Sequence, residues 1–138
     1  MIMFAMIPVM IFLHMFADYH VQGILASMKQ KSWWEKEGEM YKNDYKMALF
    51  CHAFEWTFIV LLPMLIQIFT RCEYWSGGDI ARACLYIAMF LANCSFHYGV
   101  DDMKANEKSI NLITDQVCHF GQVVITWLIW TIFIGWRY

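Results

Sequence analysis

Four long apolar segments constrain the fold of this chain more than any other feature. A bilayer core of roughly 30 Å needs about 20 apolar residues per helix. Four segments of about that length are present, with approximate bounds Met1 to His20, Met47 to Phe69, Ile80 to Tyr98 and Leu112 to Trp136. The sequence therefore predicts an all-α integral membrane protein folded as a four-helix transmembrane bundle.

The composition agrees with this class. Hydrophobic residues make up 60% of the 138 residues and charged residues only 16%, whereas soluble domains have about 45–50% apolar and about 25% charged residues. The expected connections are Val21 to Lys46, Thr70 to Asp79 and Gly99 to Asn111. None of them is long enough to form a separate soluble domain, so residues 1–138 are predicted to be a single transmembrane domain.

Basic residues indicate the orientation of the chain. Four spans place the termini and the second connection on one side of the membrane, and the two longer connections on the other. The long-connection side contains Lys29, Lys31, Lys36, Lys42, Lys46, Lys104 and Lys108, against Arg71, Arg82 and Arg137 on the opposite side. By the positive-inside rule, the long connections are expected in the cytoplasm and the termini on the opposite side.

Polar residues within the spans recur at helical spacing. Such residues are costly in a bilayer and are therefore functional candidates. They form the groups His14, Asp18 and Gln22 in the first span, His52 in the second, His97 and Asp101 in the third, and Asp115 and His119 in the fourth. Spacing of four residues places side chains on one helix face. Because spans one and three end where spans two and four begin, the four histidines are expected to converge near the long-connection side.

Histidine and aspartate in this pattern are typical of metal sites. Helical residues four apart can present two donors to one cation, and carboxylates also orient ligating imidazoles. The candidate metal ligands are His14, Asp18, His52, His97, Asp101, Asp115 and His119. They are sufficient for one or two divalent ions, and mixed nitrogen and oxygen ligands suit zinc, manganese or iron. For any one histidine alone, and for His20 in particular, an interfacial role is the simpler interpretation; the constellation favours a site.

The order of these residues resembles that of a known family. The matching pattern is His14-x-x-x-Asp18-x-x-x-Gln22, then Lys29, then His52, then His97-x-x-x-Asp101-x-x-Lys104, then Asp115-Gln116-x-x-His119. It resembles a domain-of-unknown-function family of small integral membrane proteins from bacteria and their phages, which is similar in turn to inner-membrane proteins described as metal-dependent hydrolases. The resemblance implies a bacterial inner-membrane location, a metal site built from the seven candidates, and Gln22, Lys29, Lys104 and Gln116 as polar groups near the substrate.

These observations favour a membrane metal-dependent hydrolase. Its substrate is expected to be lipid-like or amphipathic and to enter from the cytoplasmic leaflet. The proton of metal-bound water is expected to pass to Asp18, Asp101 or Asp115, or to a histidine that is not a ligand. We expect membrane lipid and a small amphipathic molecule as partners, no nucleic acid, and a homodimer through the apolar faces of spans two and four as one oligomeric option.

Three alternatives stay open at this stage. The first is a metal- or proton-coupled carrier or channel subunit, although the polar span residues crowd one end and a pathway needs them through the full depth. The second is a non-catalytic phage or host membrane effector that binds a partner protein. The third is a haem protein ligated by two histidines, against which the surplus of carboxylates counts.

Overall fold

Four long helices account for most of the chain in the computed structural model, which describes residues 2–71 and 77–135. The helices are α1 (Ile2–Phe16), α2 (Leu25–Met28), α3 (Lys31–Trp34), α4 (Tyr45–Arg71), α5 (Gly77–Asp102) and α6 (Leu112–Gly135). The described residues contain no strand. Met1 and Trp136 at the ends of the predicted spans, and Arg137 of the predicted orientation, lie outside the described residues, as does the side chain of Arg71.

Three helical stretches are long and apolar enough to cross a membrane. They are Glu39–Thr70, Gly78–Glu107 and Leu112–Ile134. The first predicted span is also helical, and the apolar stretch among those of its residues whose side chains the structure describes is Ala5–Val21. The fold is thus all-helical and compatible with an integral membrane protein, and three of its helices meet the length that a span requires.

The long helices pack side by side. Helix α1 lies against α4 and α6, and α5 lies against the same two helices. The core they enclose is apolar and includes Met10, Trp56, Val60, Leu61, Met64, Val123, Trp130 and Ile134. Many large apolar side chains, among them Phe12, Ile113 and Ile132, are instead exposed on the outer faces, as expected where helices contact lipid rather than water.

Both helices that carry the His-x-x-x-Asp pattern end in a π-helical turn. Helix α1 continues into Ala17–Val21, and α5 continues into Met103–Glu107. The predicted connection that begins at Gly99 is therefore helical as far as Glu107, because buried residues continue the inward face of α5 beyond Tyr98. Short π-helical turns often occur at functional sites; here the first contains the buried Asp18, and the second begins two residues after the buried Asp101.

The first long connection is folded against the second. The backbone N–H of Lys31 donates to Oδ1 of Asn106 at 2.7 Å, and Nδ2 of Asn106 donates to the carbonyl oxygen of Lys29 at 3.0 Å. Nδ2 also lies 2.6 Å from Oδ1 of Asp102. Asn106 thus ties the segment that carries Lys29 to the helical extension of α5.

Candidate metal centre

Four histidines from the four long helices meet inside the protein. His14, His97 and His119 are fully buried and His52 is 1% exposed. The rings of His97 and His119 stack with centroids 4.1 Å apart, and Nε2 of His97 lies 3.2 Å from Nε2 of His52. The structure therefore brings together the histidines that the sequence pattern places at one depth.

Asp101 lies among three of these imidazoles. Its Oδ1 is 3.2 Å from Nε2 of His119 and 3.8 Å from Nε2 of His97. Its Oδ2 is 3.3 Å from Nε2 of His52. One buried carboxylate from α5 is thus shared by histidines of α4, α5 and α6.

Two further carboxylates have a buried oxygen without a hydrogen bond. Oδ1 of Asp18 lies 3.4 Å from Nε2 of His52, and Oδ1 of Asp115 lies 3.4 Å from Nε2 of His119. Neither oxygen has a hydrogen-bond partner among the described residues. A buried charge is costly unless a partner compensates it. Unpaired carboxylate oxygens that face imidazole nitrogens are the donor set that a divalent ion stabilises.

Two overlapping groups of side chains can hold a metal ion. Ligand atoms of Asp18, His52 and His97 lie within 4.8 Å of one another, and so do those of His97, Asp101 and His119. Ligand atoms around one tetrahedral zinc are about 3.4 Å apart, given metal–ligand distances of about 2.0–2.1 Å, so only small side-chain movements are needed. His97 belongs to both groups, and the nitrogen and oxygen donors leave the identity of the metal open.

His14 lies beside these groups with both ring nitrogens engaged. The indole N–H of Trp56, which can only donate, is 2.9 Å from Nδ1 of His14. Nδ1 therefore carries no proton, and Nε2–H donates to Oε1 of Gln116 at 3.2 Å. His14, a predicted ligand, is therefore hydrogen-bonded to Trp56 and Gln116 and belongs to neither of the two groups that can hold a metal ion.

Gln116 links this histidine to two carboxylates. Its Nε2 donates to Oδ2 of Asp18 at 3.2 Å and to Oδ2 of Asp115 at 3.1 Å. Because its Oε1 accepts from His14, the amide can be oriented in one way only. In the structure Gln116, predicted to lie near the substrate, holds the carboxylates of Asp18 and Asp115. Sequence reasoning missed Trp56, although it lies four residues after His52 and so shares its helix face.

Two lysines neutralise carboxylates of the cluster from the connection side. Nζ of Lys29 lies 2.6 Å from Oδ2 of Asp101 and 3.0 Å from Oε1 of Gln22. Nζ of Lys104 lies 2.7 Å from Oδ2 of Asp115. The three polar groups predicted to border the site on this side, Gln22, Lys29 and Lys104, all do so.

Two other polar residues of the predicted spans lie away from the cluster. Glu55, three residues after His52, is exposed on the outer face of α4. His20 is also exposed and contacts the ring of Phe16, in agreement with an interfacial role. Proximity in sequence to a site residue therefore does not bring either side chain into the site.

A second polar network lies deeper in the helix packing. Nε2 of Gln122 and the hydroxyl of Thr126 both donate to Oδ1 of Asn93, at 2.8 Å and 3.0 Å. The indole N–H of Trp130 donates to Oε1 of Gln67 at 2.7 Å. Asn93 and Gln122 lie in the same halves of their predicted spans as His97 and His119, whereas Gln67 lies in the opposite half of its own span. Asn93 is four residues before His97 and Gln122 three residues after His119, so helical spacing places both near the faces that carry these histidines.

No family model, no curated protein and no solved structure matches this chain. What the fold and the site define is a class: a helical protein, compatible with insertion in a membrane, with a buried cluster of histidines and aspartates that can bind a metal ion. The five residues of that cluster are Asp18, His52, His97, Asp101 and His119.

Proposed function

We propose that this chain is an integral membrane metalloprotein that hydrolyses a lipid-like or amphipathic substrate. The observation that carries the proposal is the convergence of His52, His97 and His119 with Asp18 and Asp101 in a buried position at one end of apolar helices. Buried ionisable residues in such helices are expensive and are retained where they serve a function. The resemblance of the sequence pattern to membrane proteins described as metal-dependent hydrolases supports the same class.

The chain supplies the groups that such a reaction needs. A bound divalent ion lowers the pKa of a coordinated water and polarises the bond to be broken. We assign ligand roles to Asp18 and Asp101, and proton acceptance to Oδ1 of Asp115, which makes no hydrogen bond within the described residues. Lys104 and Gln116 hold the other oxygen of Asp115, so the free oxygen keeps a defined direction.

The position of the cluster suggests how a substrate reaches it. Lys29 and Lys104 border the cluster and belong to the two long connections. We propose that these connections face the cytoplasm of a bacterial cell and that the substrate enters from the cytoplasmic leaflet of the inner membrane. The abundance of lysine in both connections supports this orientation.

A turnover assay tests the proposal. Protein in lipid nanodiscs is loaded with zinc, manganese or iron and incubated with amphipathic carboxylic esters and phosphoesters, and products are followed by mass spectrometry. We expect metal-dependent turnover that falls at least about 100-fold in Asp115→Asn while the metal is retained. His20→Ala, at an exposed histidine, should match the wild type. Wild-type protein that holds its metal and turns over none of these substrates would contradict the proposal.

A second candidate, a proton- or metal-coupled carrier, is favoured by the deeper polar network. Asn93, Gln122 and Thr126 continue the polar interior beyond the histidines, and Gln67 and Trp130 extend it further. Proteoliposomes that contain a pH-sensitive dye distinguish the two functions. A carrier would move protons or metal ions across the membrane and lose flux in Asn93→Leu, whereas a hydrolase would show no flux and keep its turnover in that variant.

A further inference from the structure

A cavity of about 490 Å³ opens beside the metal cluster. We call it the vestibule. Lys29, Lys104, Lys108, Gln22 and Gln30 line it, together with Asp101, which the vestibule shares with the cluster. Three lysines around one cavity at the border of a buried site are unusual for a chain with only 10 basic residues in 138, and both long connections contribute to them.

The charges around the vestibule favour an anion once a metal is bound. Lys29 pairs with Asp101 of the cluster, and Lys104 pairs with Asp115, which lies beside it. Asp18 of the cluster is the third carboxylate. The three carboxylates and these two lysines together carry a net charge of −1. One bound divalent ion changes this net charge to +1. Lys108 adds a further positive charge, since within the described residues it has no carboxylate partner. Positive charges that line a cavity attract an anionic group.

Hydrogen bonds between a side chain and the backbone hold the two walls of the vestibule together. Asn106 binds the carbonyl oxygen of Lys29 and the N–H of Lys31, so the two walls are tied together. Lys108 ends the π-helical turn of α5 in the left-handed region, with φ of 53°. Non-glycine residues rarely adopt this conformation, and such strain concentrates at functional sites. Lys108 at the rim of the cavity therefore has a backbone conformation that glycine or asparagine adopts at lower cost.

We propose that the vestibule binds the phosphate group of the substrate. This inference rests on the proposed hydrolase function and names the group that the substrate presents to it. A phosphate has two negative charges near neutral pH and several acceptor oxygens, which match a surplus of more than one positive charge and several ammonium donors. The phosphate is a monoester that belongs either to a lipid such as phosphatidic acid or to a soluble molecule, because both present this dianion.

Binding of inorganic phosphate tests the inference directly. The full chain in phosphatidylcholine nanodiscs is loaded with zinc, freed of unbound metal, and titrated with phosphate in a calorimeter. Lys108→Asn removes the charge and keeps a residue that tolerates the left-handed conformation. We expect phosphate to bind about tenfold more weakly to this variant, because the variant loses one hydrogen bond between an ammonium group and the phosphate. The control Lys42→Asn, at an exposed lysine paired with Glu39, should bind as the wild type does.

Competition separates the two sources of phosphate. If the headgroup of a lipid occupies the vestibule, phosphatidic acid added to the nanodiscs should weaken binding of inorganic phosphate in the wild type and lose this effect in Lys108→Asn. If the source is soluble, glycerol 3-phosphate should compete in the same way and phosphatidic acid should not. Either pattern supports the inference.

Failure of the inference and failure of the proposed function give different results. Protein that holds zinc and binds no phosphate, or binds it equally well in Lys108→Asn, overturns the inference and leaves the metal site intact. Zinc-loaded wild type that binds phosphate through Lys108 but hydrolyses no substrate overturns the proposed function and supports the inference. Wild-type protein that takes up no metal overturns both, because without the ion the three carboxylates offset the charge of the three lysines.

Discussion

The indole nitrogen of Trp56 lies 2.9 Å from Nδ1 of His14, and this contact sets the direction of a hydrogen-bond chain. The chain runs from Trp56 through His14 and Gln116 to the carboxylates of Asp18 and Asp115. Every member of this chain is buried except Gln116, which is partly buried, so few of these partners can be replaced by water. Partners that orient ligands in this way are often as important to a metal site as the ligands.

Trp56→Phe is predicted to weaken metal binding without removing a ligand. The substitution keeps an aromatic ring against His97, with which Trp56 stacks at 4.2 Å, but deletes the only donor to His14 Nδ1 in the described structure. Loss of such an orienting contact costs about 10- to 100-fold in metal affinity. Competition with a chelator measures this affinity.

Trp130→Phe is the matched control for that substitution. Trp130 is as buried as Trp56, and its indole N–H also donates to a side-chain oxygen, Oε1 of Gln67. This hydrogen bond lies far from the histidines. Both variants should lose similar thermal stability, and only Trp56→Phe should lose metal affinity. Equal loss of affinity in the two variants would show that general destabilisation, rather than orientation of His14, is responsible.

Lys29→Met is predicted to destabilise the metal-free protein more than the metal-loaded protein. Removing the lysine leaves Asp101, which is 3% exposed, without its ammonium partner, and breaking a buried ion pair costs about 3–5 kcal/mol. A bound divalent ion compensates part of that charge. Thermal melting in detergent with and without zinc should show the larger decrease without zinc. Lys42→Met, in an exposed pair with Glu39, should change little in either state; equal decreases with and without zinc in Lys29→Met would contradict the prediction.

Asn106→Ala is predicted to release the first connection from the end of α5. The variant loses the hydrogen bonds to Lys29 and Lys31, so backbone amides of residues 25–34 should exchange with deuterium faster. Asn111→Ala offers a comparison, because Asn111 accepts from the N–H of Thr114 at the start of α6 and its loss should speed exchange there only. Unchanged exchange over residues 25–34 in Asn106→Ala would show that other contacts hold the connection.

The sequence predicts the meeting of the histidines well, for a simple physical reason. Spacing of four residues and alternating helix direction place His14, His52, His97 and His119 at one depth whatever the details of packing. The sequence does not predict which histidines fall in the groups that can hold a metal ion. His14 lies outside those groups, and the indole N–H of Trp56 donates to its Nδ1; the sequence pattern gives this tryptophan no role beyond packing.

Other features follow from contacts that no local pattern reports. The bond between Asn93 and Gln122 joins residues 29 positions apart, and the link between Lys31 and Asn106 joins residues 75 apart. The π-helical turn after Asp102 was also not predicted, since Gly99 suggests the end of a helix and the buried side chains beyond it continue the helix instead. The first span ends where the sequence predicts, since its helix continues through a π-helical turn to Val21, just before Gly23, whose φ is 48°.

Metal content tests the central claim most directly. Detergent-purified wild type, His97→Ala, Asp101→Ala and His20→Ala are analysed for zinc, manganese and iron, with monodispersity and helical content checked for each. His97 belongs to both ligand groups, so its loss should impair a site for one ion or for two. We predict near-stoichiometric metal in the wild type and in His20→Ala, none in His97→Ala, and less than the wild-type amount in Asp101→Ala, which removes a ligand of one group only. A well-folded wild type that takes up no metal after incubation, or a His97→Ala variant that retains the full amount, would contradict the account.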